Sequence, residues 1–301
     1  MRFSVSLPYP GARAGTDIAS QARYAAFVEE CGFHAISATD HPFPVVGGGS
    51  VSHHAYDPFT LLAYLAARTE RIRLHFSLLV AGYRNPYLAA HMLATLDEIS
   101  AGRVIIAVGV GYNRAEFEAL GARFGGRGRH SDDVIAAMRS AWSGEPVHAD
   151  HQDWRAEGNT MFPAFAGRSQ PLMWRGGNST GARATAARSF DGWAPLEVAD
   201  KWADKAGTTG LTMSTLQEAI ASYHEEWRKA RRSGTPDVCL VRGRTDWLRD
   251  PGRLVAETEQ LEKMGVTWVE ITPYGDTPEV VETSLRDAAR WLGEADLLGP
   301  I

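Results

Sequence analysis

Short apolar runs alternate with amphipathic stretches along the chain, and this order predicts a repeated strand–helix unit. The clearest repeat runs from Arg71 to Gly121. One of its strands, Val104 to Val108, is continuously apolar and rich in β-branched residues, which is typical of a strand buried on both faces of a parallel sheet. Apolar positions at helical spacing before it predict a helix face that packs on that sheet: Leu88, Met92, Thr95, Leu96 and Ile99.

Eight such units follow one another, from the strand Phe3 to Leu7 to the helix Pro278 to Leu292. No linker rich in proline, glycine or serine divides them. Eight βα units in order favour a closed barrel over an open doubly wound sheet. We therefore predict an α/β fold, a (β/α)₈ TIM barrel, formed by a single domain over residues 1–301.

Three longer segments interrupt the repeat: Val45 to Tyr56, His148 to Gln170 and Glu197 to Ser214. The second contains strand-like pieces around Gln152 to Trp154 and Thr160 to Phe162. Loops of this length commonly carry function on a barrel, so we expect these insertions to determine substrate choice.

Charge and composition narrow the class of ligand. The net charge is −5 and no basic stripe is present, so neither nucleic acid nor an anionic membrane surface is an expected partner. We expect a small-molecule substrate instead. Cys31 and Cys239 have no metal-ligand spacing and are expected to be reduced. The adjacent His53 and His54 have no suitably spaced third ligand, so we expect no metal. The absence of a leader-like start and of a long apolar run predicts a cytoplasmic protein.

Candidate catalytic residues follow the second strand, and a candidate cofactor-binding position lies near the end of the third, at the rim where barrels carry their chemistry. Asp40 and His41 end the second strand, and a histidine there can act as acid or base near neutral pH, although a capped strand end would look the same. In the third strand, Ile72, Leu74, Phe76, Leu78 and Val80 alternate, which places Ser77 in the polar register. A small residue there suits a flat ring, and a packed barrel serine is the alternative.

A glycine-rich turn follows the fourth strand. Gly109 and Gly111 form a G-x-G, but the third glycine and the ribose-binding acid of a nicotinamide site are missing. The glycines suit either the close approach of a planar ligand or a tight turn, with Asn113 as the cap of the next helix.

A second glycine-rich loop, Gly176, Gly177, Asn178 and Ser179, joins the fifth strand to a helix. Exposed backbone amides, polar side chains and a helix N-terminus together form an anion site, and Arg175 would add charge. We interpret this loop as a phosphate site, with a simple turn as the alternative.

Four segments taken together resemble the luciferase-like monooxygenase superfamily, most closely its branch that uses the deazaflavin coenzyme F420. They are GFHAISATDHP, DPFTLLAYLAARTERIRL, YRNPYLAAHMLATLDEISAGRVIIAVGVGYNRAEFEALG and GGNSTGARATAARSFDGWAP. The resemblance implies a cofactor ring beside Asp40 and His41, a non-prolyl cis peptide at Ser77–Leu78, a contact from Asn113, and phosphate held by Gly176, Gly177, Asn178 and Ser179.

The activity implied by the resemblance is hydride transfer between F420 and a small organic substrate, in a homodimer. An FMN-dependent monooxygenase that uses O₂ and a separate reductase is the alternative, and a flavin-binding protein without turnover is a third possibility. Tyr112 stands where sugar-phosphate dehydrogenases of the superfamily have a glutamate. Because Glu116 lies one helical turn beyond the loop, His41 is the acid/base that we nominate.

Overall fold

The computed structural model describes residues 1–9, 17–45, 54–204 and 207–300. Three features singled out above therefore fall wholly or partly outside the described residues: His53, residues 46–53 of the first insertion and residues 205–206 of the third.

Strands and helices alternate in the predicted order. The strands are β1 (Arg2–Ser6), β2 (Ala35–Ala38), β3 (Arg73–Val80), β4 (Val104–Gly109), β5 (Val147–His151), β6 (Trp154–Asn159), β7 (Leu172–Gly176), β8 (Gly192–Ala194), β9 (Asp237–Arg242) and β10 (Trp268–Ile271). The helices are α1 (Ile18–Glu30), α2 (Pro58–Ala66), α3 (Pro86–Ser100), α4 (Arg114–Ala119), α5 (Arg127–Trp142), α6 (Thr180–Ser189), α7 (Asp200–Ala203), α8 (Met213–Lys229), α9 (Pro251–Met264) and α10 (Pro278–Glu294). Short 3₁₀ turns cover Ala81–Tyr83 and Asp246–Arg249. Within the described ranges, none of these helices has the length and apolar character needed to cross a membrane.

Eight strands of the described chain close a parallel barrel in the order β1-β10-β9-β8-β7-β4-β3-β2. Closure occurs at β1, where Val5 pairs with Ile36 of β2 on one side and with Ile271 of β10 on the other. The (β/α)₈ fold predicted from the repeat is confirmed, and all the strand ends singled out above meet at its carboxyl-terminal mouth.

The remaining strands, β5 and β6, form an antiparallel hairpin outside the barrel. The predicted positions of the strands in this insertion were wrong. Gln152 lies in the turn between β5 and β6, and Thr160 to Phe162 follow β6. The short helix α4 begins where Asn113 was expected to cap a helix, and the Asn113 side chain accepts a hydrogen bond from the Glu116 amide at 3.3 Å.

Helix α3 buries only part of the predicted face, since Leu96 is buried and Met92 packs against the core. Leu88 and Ile99 are 55% and 54% exposed. The buried face consists mainly of small residues: Ala89, Ala90, Leu93, Ala94, Leu96, Asp97 and Ser100. These small side chains allow α3 to lie close to its neighbours α2 and α5, and Trp142 Nε1 of α5 donates to the Ala90 carbonyl at 3.0 Å. The close approach of neighbouring helices, rather than the size of the apolar side chains, therefore decided which face of α3 is buried.

The barrel interior holds its own apolar layer, separate from the core between sheet and helices. It comprises Ala35, Ile105, Ala107, Trp174, Ala194, Cys239 and Trp268. Above this layer, polar side chains from several strands face one another, and they form part of the site described next.

Candidate active site

Asp40 lies just after β2 and is 1% exposed. Its Oδ2 accepts hydrogen bonds from the Val80 amide at 3.0 Å and from Arg84 Nη1 at 2.7 Å, and its Oδ1 accepts one from Arg84 Nη2 at 2.8 Å. Such a bidentate pair fixes the geometry of both side chains. Asp40 thus joins the end of β2 to the loop after β3 through Arg84 and the Val80 amide.

His41 pairs with Glu116, a residue that the sequence reasoning set aside. Nδ1 of His41 lies 3.0 Å from Oε2 of Glu116, which is fully buried. Two further groups donate to this carboxylate, the Phe43 amide and the Tyr83 hydroxyl, both at 3.0 Å. Burial, then the Glu116 charge and this hydrogen bond, raise the pKa of Tyr83, so Tyr83 stays a neutral donor. The Glu116 carboxylate can accept a hydrogen bond only, so Nδ1 of His41 is the donor in this pair and the imidazole ring is held in one orientation.

The short helix α4 explains how Glu116 reaches His41. Asn113 starts the helix, and Glu116 occupies the third position of its first turn, from which the side chain reaches back past Tyr112 towards β2. The Tyr112 ring lies edge-on to His41, with 5.7 Å between ring centroids. The sequence signal was present in the Asn-x-x-Glu spacing, which is typical of a capped helix start.

Leu78 forms a platform at the barrel mouth. The Ser77–Leu78 peptide bond is cis, as the resemblance implied. The β3–β4 register shifts between Ser77 and Leu79, so Leu78 packs on the interior layer rather than on the outer face that strict alternation predicted. Gly109 and Gly176 flank it, since a Cβ added at either would lie 3.1 or 2.5 Å from Leu78. These two glycines make room for Leu78, whereas we expected Gly109 to suit either a planar ligand or a tight turn and Gly176 to belong to a phosphate loop.

Glu270 of β10 is a second carboxyl that the sequence analysis missed. Its Oε1 accepts from Ser37 Oγ at 2.8 Å, and its Oε2 accepts from Ser77 Oγ. Burial raises the pKa of Glu270 to about 7, and the two serine hydrogen bonds only partly oppose this. Nδ1 of His75 lies 3.9 Å from Oε2, and burial lowers the pKa of His75 to about 3, so this imidazole is neutral. A titratable carboxyl therefore supports the peptide next to Leu78.

The loop Gly176–Ser179 lies at the start of α6, as predicted. Gly177 has φ +107°, a conformation that favours glycine, and Ser179 caps the helix by accepting from the Ala182 amide at 3.1 Å. The Asn178 side chain is held by protein groups: its amide nitrogen donates to the carbonyls of Leu196 and Thr209 at 2.8 and 2.7 Å. Asn178 thus shapes the loop rather than presenting its amide to the cavity beside it.

That cavity has a volume of about 430 Å³ and lies between the N-terminal turns of α6 and α8. Arg183 lines it and donates to the Asn178 carbonyl at 2.7 Å. Arg175, which we expected to supply charge here, is buried on the outer side of β7, where it binds Ser131 Oγ at 2.9 Å. The reason is strand alternation, because Trp174 faces the barrel interior and its neighbour must face outward. The arginine at the loop is therefore Arg183.

Comparison with known proteins places this chain in a family. The family model "Luciferase-like monooxygenase" matches residues 1–245. An FMNH₂-dependent dimethylsulfone monooxygenase of Pseudomonas putida is 29% identical over 60% of this chain and 49% of its own length. An F420-dependent glucose-6-phosphate dehydrogenase of Microbacterium testaceum is 28% identical over 67% of this chain and 64% of its own length.

The chain thus spans about half to two thirds of these two relatives. Among solved structures, the monooxygenase RslO1 from Streptomyces bottropensis superposes with a TM-score of 0.78 at 21% identity, covering 98% of this chain and 99% of that one. This likeness supports the barrel fold. With most of its length matched by the family model, the chain belongs to the luciferase-like monooxygenase family.

Proposed function

We propose that this chain is an F420-dependent oxidoreductase that transfers a hydride between the deazaflavin and a small organic substrate at the mouth of the barrel. The observation that carries the proposal is the His41–Glu116 pair after β2, which holds an imidazole in a fixed orientation at the mouth of the barrel. The bound cofactor would supply the redox chemistry. The relative from Microbacterium testaceum, named as F420-dependent, supports the choice of cofactor.

The residues present fit a planar cofactor with a phosphate tail. Leu78 is a half-buried apolar side chain packed on the interior layer, and Asn178, the first turn of α6 and Arg183 border a cavity large enough for a phosphate group. Ser179 lines the same cavity. We propose that Leu78, Gly177, Ser179 and Arg183 hold the cofactor, and that Asp40, Ser77, Asn113, Gly176 and Asn178 shape the surfaces around it.

The protein's own chemistry is then the transfer of one proton. Hydride transfer to or from a carbon atom is accompanied by a proton gained or lost by the substrate, and Nε2 of His41 is placed to exchange it while Nδ1 stays bonded to Glu116. Replacing Glu116 by glutamine keeps the shape but removes the charge that holds the His41 tautomer. We expect Glu116→Gln to lower kcat by about tenfold or more with cofactor affinity unchanged. An unaltered kcat would contradict this role.

Cofactor identity is tested by titrating apo-protein with F420 and, separately, with FMN, following the fluorescence of its nine tryptophans. We expect F420 to bind at least about tenfold more tightly, or about 1.4 kcal/mol. Arg183→Ala should weaken binding by about tenfold, since it removes a charged contact to phosphate. Arg188→Ala, an exposed arginine at the other end of the same helix, is the matched control. A preference for FMN would overturn the proposal.

The alternative is an FMN-dependent monooxygenase supplied by a separate reductase, and the Pseudomonas putida relative favours it. It differs in consuming O₂. Oxygen uptake that depends on reduced FMN and substrate would support it, whereas anaerobic oxidation of reduced F420 by substrate would support hydride transfer. Binding of either cofactor without turnover in both assays would indicate the third possibility, a flavin-binding protein.

We also propose a homodimer. Leu88 and Ile99 lie on one face of α3 and are more than half exposed, while Met92 between them packs partly against the core. An exposed apolar stripe of this kind on a helix is typical of an interface.

A further inference from the structure

Three metal-ligating side chains meet where the β5–β6 hairpin packs against α5. His130 comes from the first turns of α5, His151 ends β5, and Asp153 lies in the hairpin turn. One potential ligand atom from each lies within 4.8 Å of those of the other two. Oδ2 of Asp153 is 3.6 Å from Nδ1 of His130 and 3.7 Å from Nδ1 of His151.

The environment of His130 indicates that a ligand binds here. It is 6% exposed, and its Nδ1 has no hydrogen-bond partner among the described residues. A buried polar atom normally has a partner, so an unpaired ring nitrogen facing a carboxylate and a second imidazole needs an explanation. An imidazole nitrogen without a hydrogen-bond partner can donate its lone pair to a metal ion.

We infer that His130, His151 and Asp153 form a binding site for a divalent transition-metal ion, with Zn²⁺ as the ion of best fit. Two imidazoles and one carboxylate form a donor set that suits Zn²⁺ and not Mg²⁺, which prefers oxygen ligands. With metal–ligand bonds of about 2.0–2.1 Å, neighbouring donors of a tetrahedral Zn²⁺ site lie about 3.3 Å apart. The distances to Asp153 need to shorten by only a few tenths of an ångström, and water would complete the shell. This site differs from the metal-free expectation that we drew from His53 and His54.

Some groups around the three side chains favour the binding of a cation, and others disfavour it. Trp154 stacks on the His151 ring at 3.7 Å between centroids, which fixes that ligand in place. Asp133 of α5 lies 3.8 Å from Nε2 of His151 and adds negative charge. Against this, the Asp153 amide donates to Nδ1 of His151 at 3.2 Å, and Arg123 lies 4.0 Å from the Asp153 carboxylate. Arg123 is 45% exposed, so it can swing into solvent when a metal binds.

Metal binding would clamp the hairpin to α5 and stiffen the wall of the active site. His130 packs against the 3₁₀ turn after β3, where a Cβ at Gly82 would lie 3.4 Å from its ring. The next residue is Tyr83, which donates to the Glu116 carboxylate. A shift of His130 on metal binding would therefore be passed through Gly82 and Tyr83 to Glu116.

The test uses the full chain, treated with chelator and dialysed, and titrated with Zn²⁺ by calorimetry. Thermal melting with Zn²⁺ and with Mg²⁺ gives a second readout. We expect one Zn²⁺ per chain and a rise in Tm with Zn²⁺ alone, because a ligand that binds the folded state stabilises it. His151→Ala and Asp153→Asn should each weaken Zn²⁺ binding by at least about tenfold. Both variants replace partly exposed side chains of the hairpin, and melting without metal shows whether each variant has folded.

His148→Ala and Asp150→Asn are matched controls, since both residues are exposed on the same hairpin, and both variants should bind Zn²⁺ as the wild type does. Absence of Zn²⁺ binding would overturn the inference. Equal loss of binding in His148→Ala and His151→Ala would also overturn it, because it would indicate adventitious binding by surface histidines. These outcomes do not depend on which redox cofactor the protein uses.

Discussion

Replacing Glu270 by glutamine should remove a large pH dependence from the stability of this protein. Glu270 is enclosed in the barrel interior, and burial raises its pKa from 4.5 to about 7 in the folded state. A raised pKa means that the folded protein binds the proton more tightly than the unfolded chain does. The stability that this proton provides is complete below pH 4.5 and is lost as the pH rises to about 7.

The size of the effect follows from the shift. At about 1.36 kcal/mol per pKa unit, a shift of about 2.5 units corresponds to about 3.4 kcal/mol in total. About 2.5 kcal/mol of this falls between pH 5 and pH 8. Glutamine is similar in shape and keeps an oxygen that can accept from a serine hydroxyl, but it does not titrate. The variant should therefore gain stability relative to wild type as the pH rises, by about 2.5 kcal/mol over that range.

Urea denaturation at pH values from 5 to 8 measures the free energy of unfolding of both proteins. Glu259→Gln, on the exposed side of α9, is the matched control and should follow the wild type. The reasoning about the barrel interior is refuted if Glu270→Gln and the wild type change in parallel with pH. Such a result would mean that Glu270 titrates as a solvated carboxyl despite its position.

Three further predictions concern the mouth and the surface. His41→Ala should reduce turnover by about 10²–10⁴-fold with cofactor affinity nearly intact, and survival of turnover in steady-state assays would contradict proton transfer by this residue. Gly176→Ala adds a Cβ 2.5 Å from Leu78 Cδ1, so it should displace the platform, cost about 1–3 kcal/mol in urea denaturation and weaken cofactor binding. A normal affinity would show that Leu78 does not support the ring. Leu88→Glu combined with Ile99→Glu places like charges on the exposed stripe of α3 and should convert the proposed dimer to a monomer in light-scattering chromatography. An unchanged mass would mean either that the chain associates elsewhere or that it does not associate.

The sequence indicated the location of the candidate site because strand ends are local features. Asp40 and His41 follow a buried strand directly, and the Gly176–Ser179 loop stands between a strand and a helix start. Once eight βα units are recognised, all such ends share one mouth. The cap at Asn113 was predictable for the same reason, since a cap depends on residues within one helical turn.

Contacts between distant parts of the chain were not predictable in this way. His41 and Glu116 are 75 residues apart, and Ser77 and Glu270 are 193 apart. Whether such side chains meet depends on strand register and on the reach of a helix turn, neither of which a local pattern encodes. The exposed stripe of α3 was misjudged because apolar size alone does not show which face neighbouring helices can approach.

The sequence by itself determined the order of strands and helices, the closed barrel and the rim positions of its polar loops, because periodicity and capping act over a few residues. The tertiary structure alone decided which groups work together. Barrel closure brings β10 beside β1 and places Glu270 within reach of Ser37 and Ser77. Strand alternation turns Arg175 outward, and the reach of α4 gives His41 its carboxylate. The chemistry of the site thus depends on contacts that form only when the barrel closes.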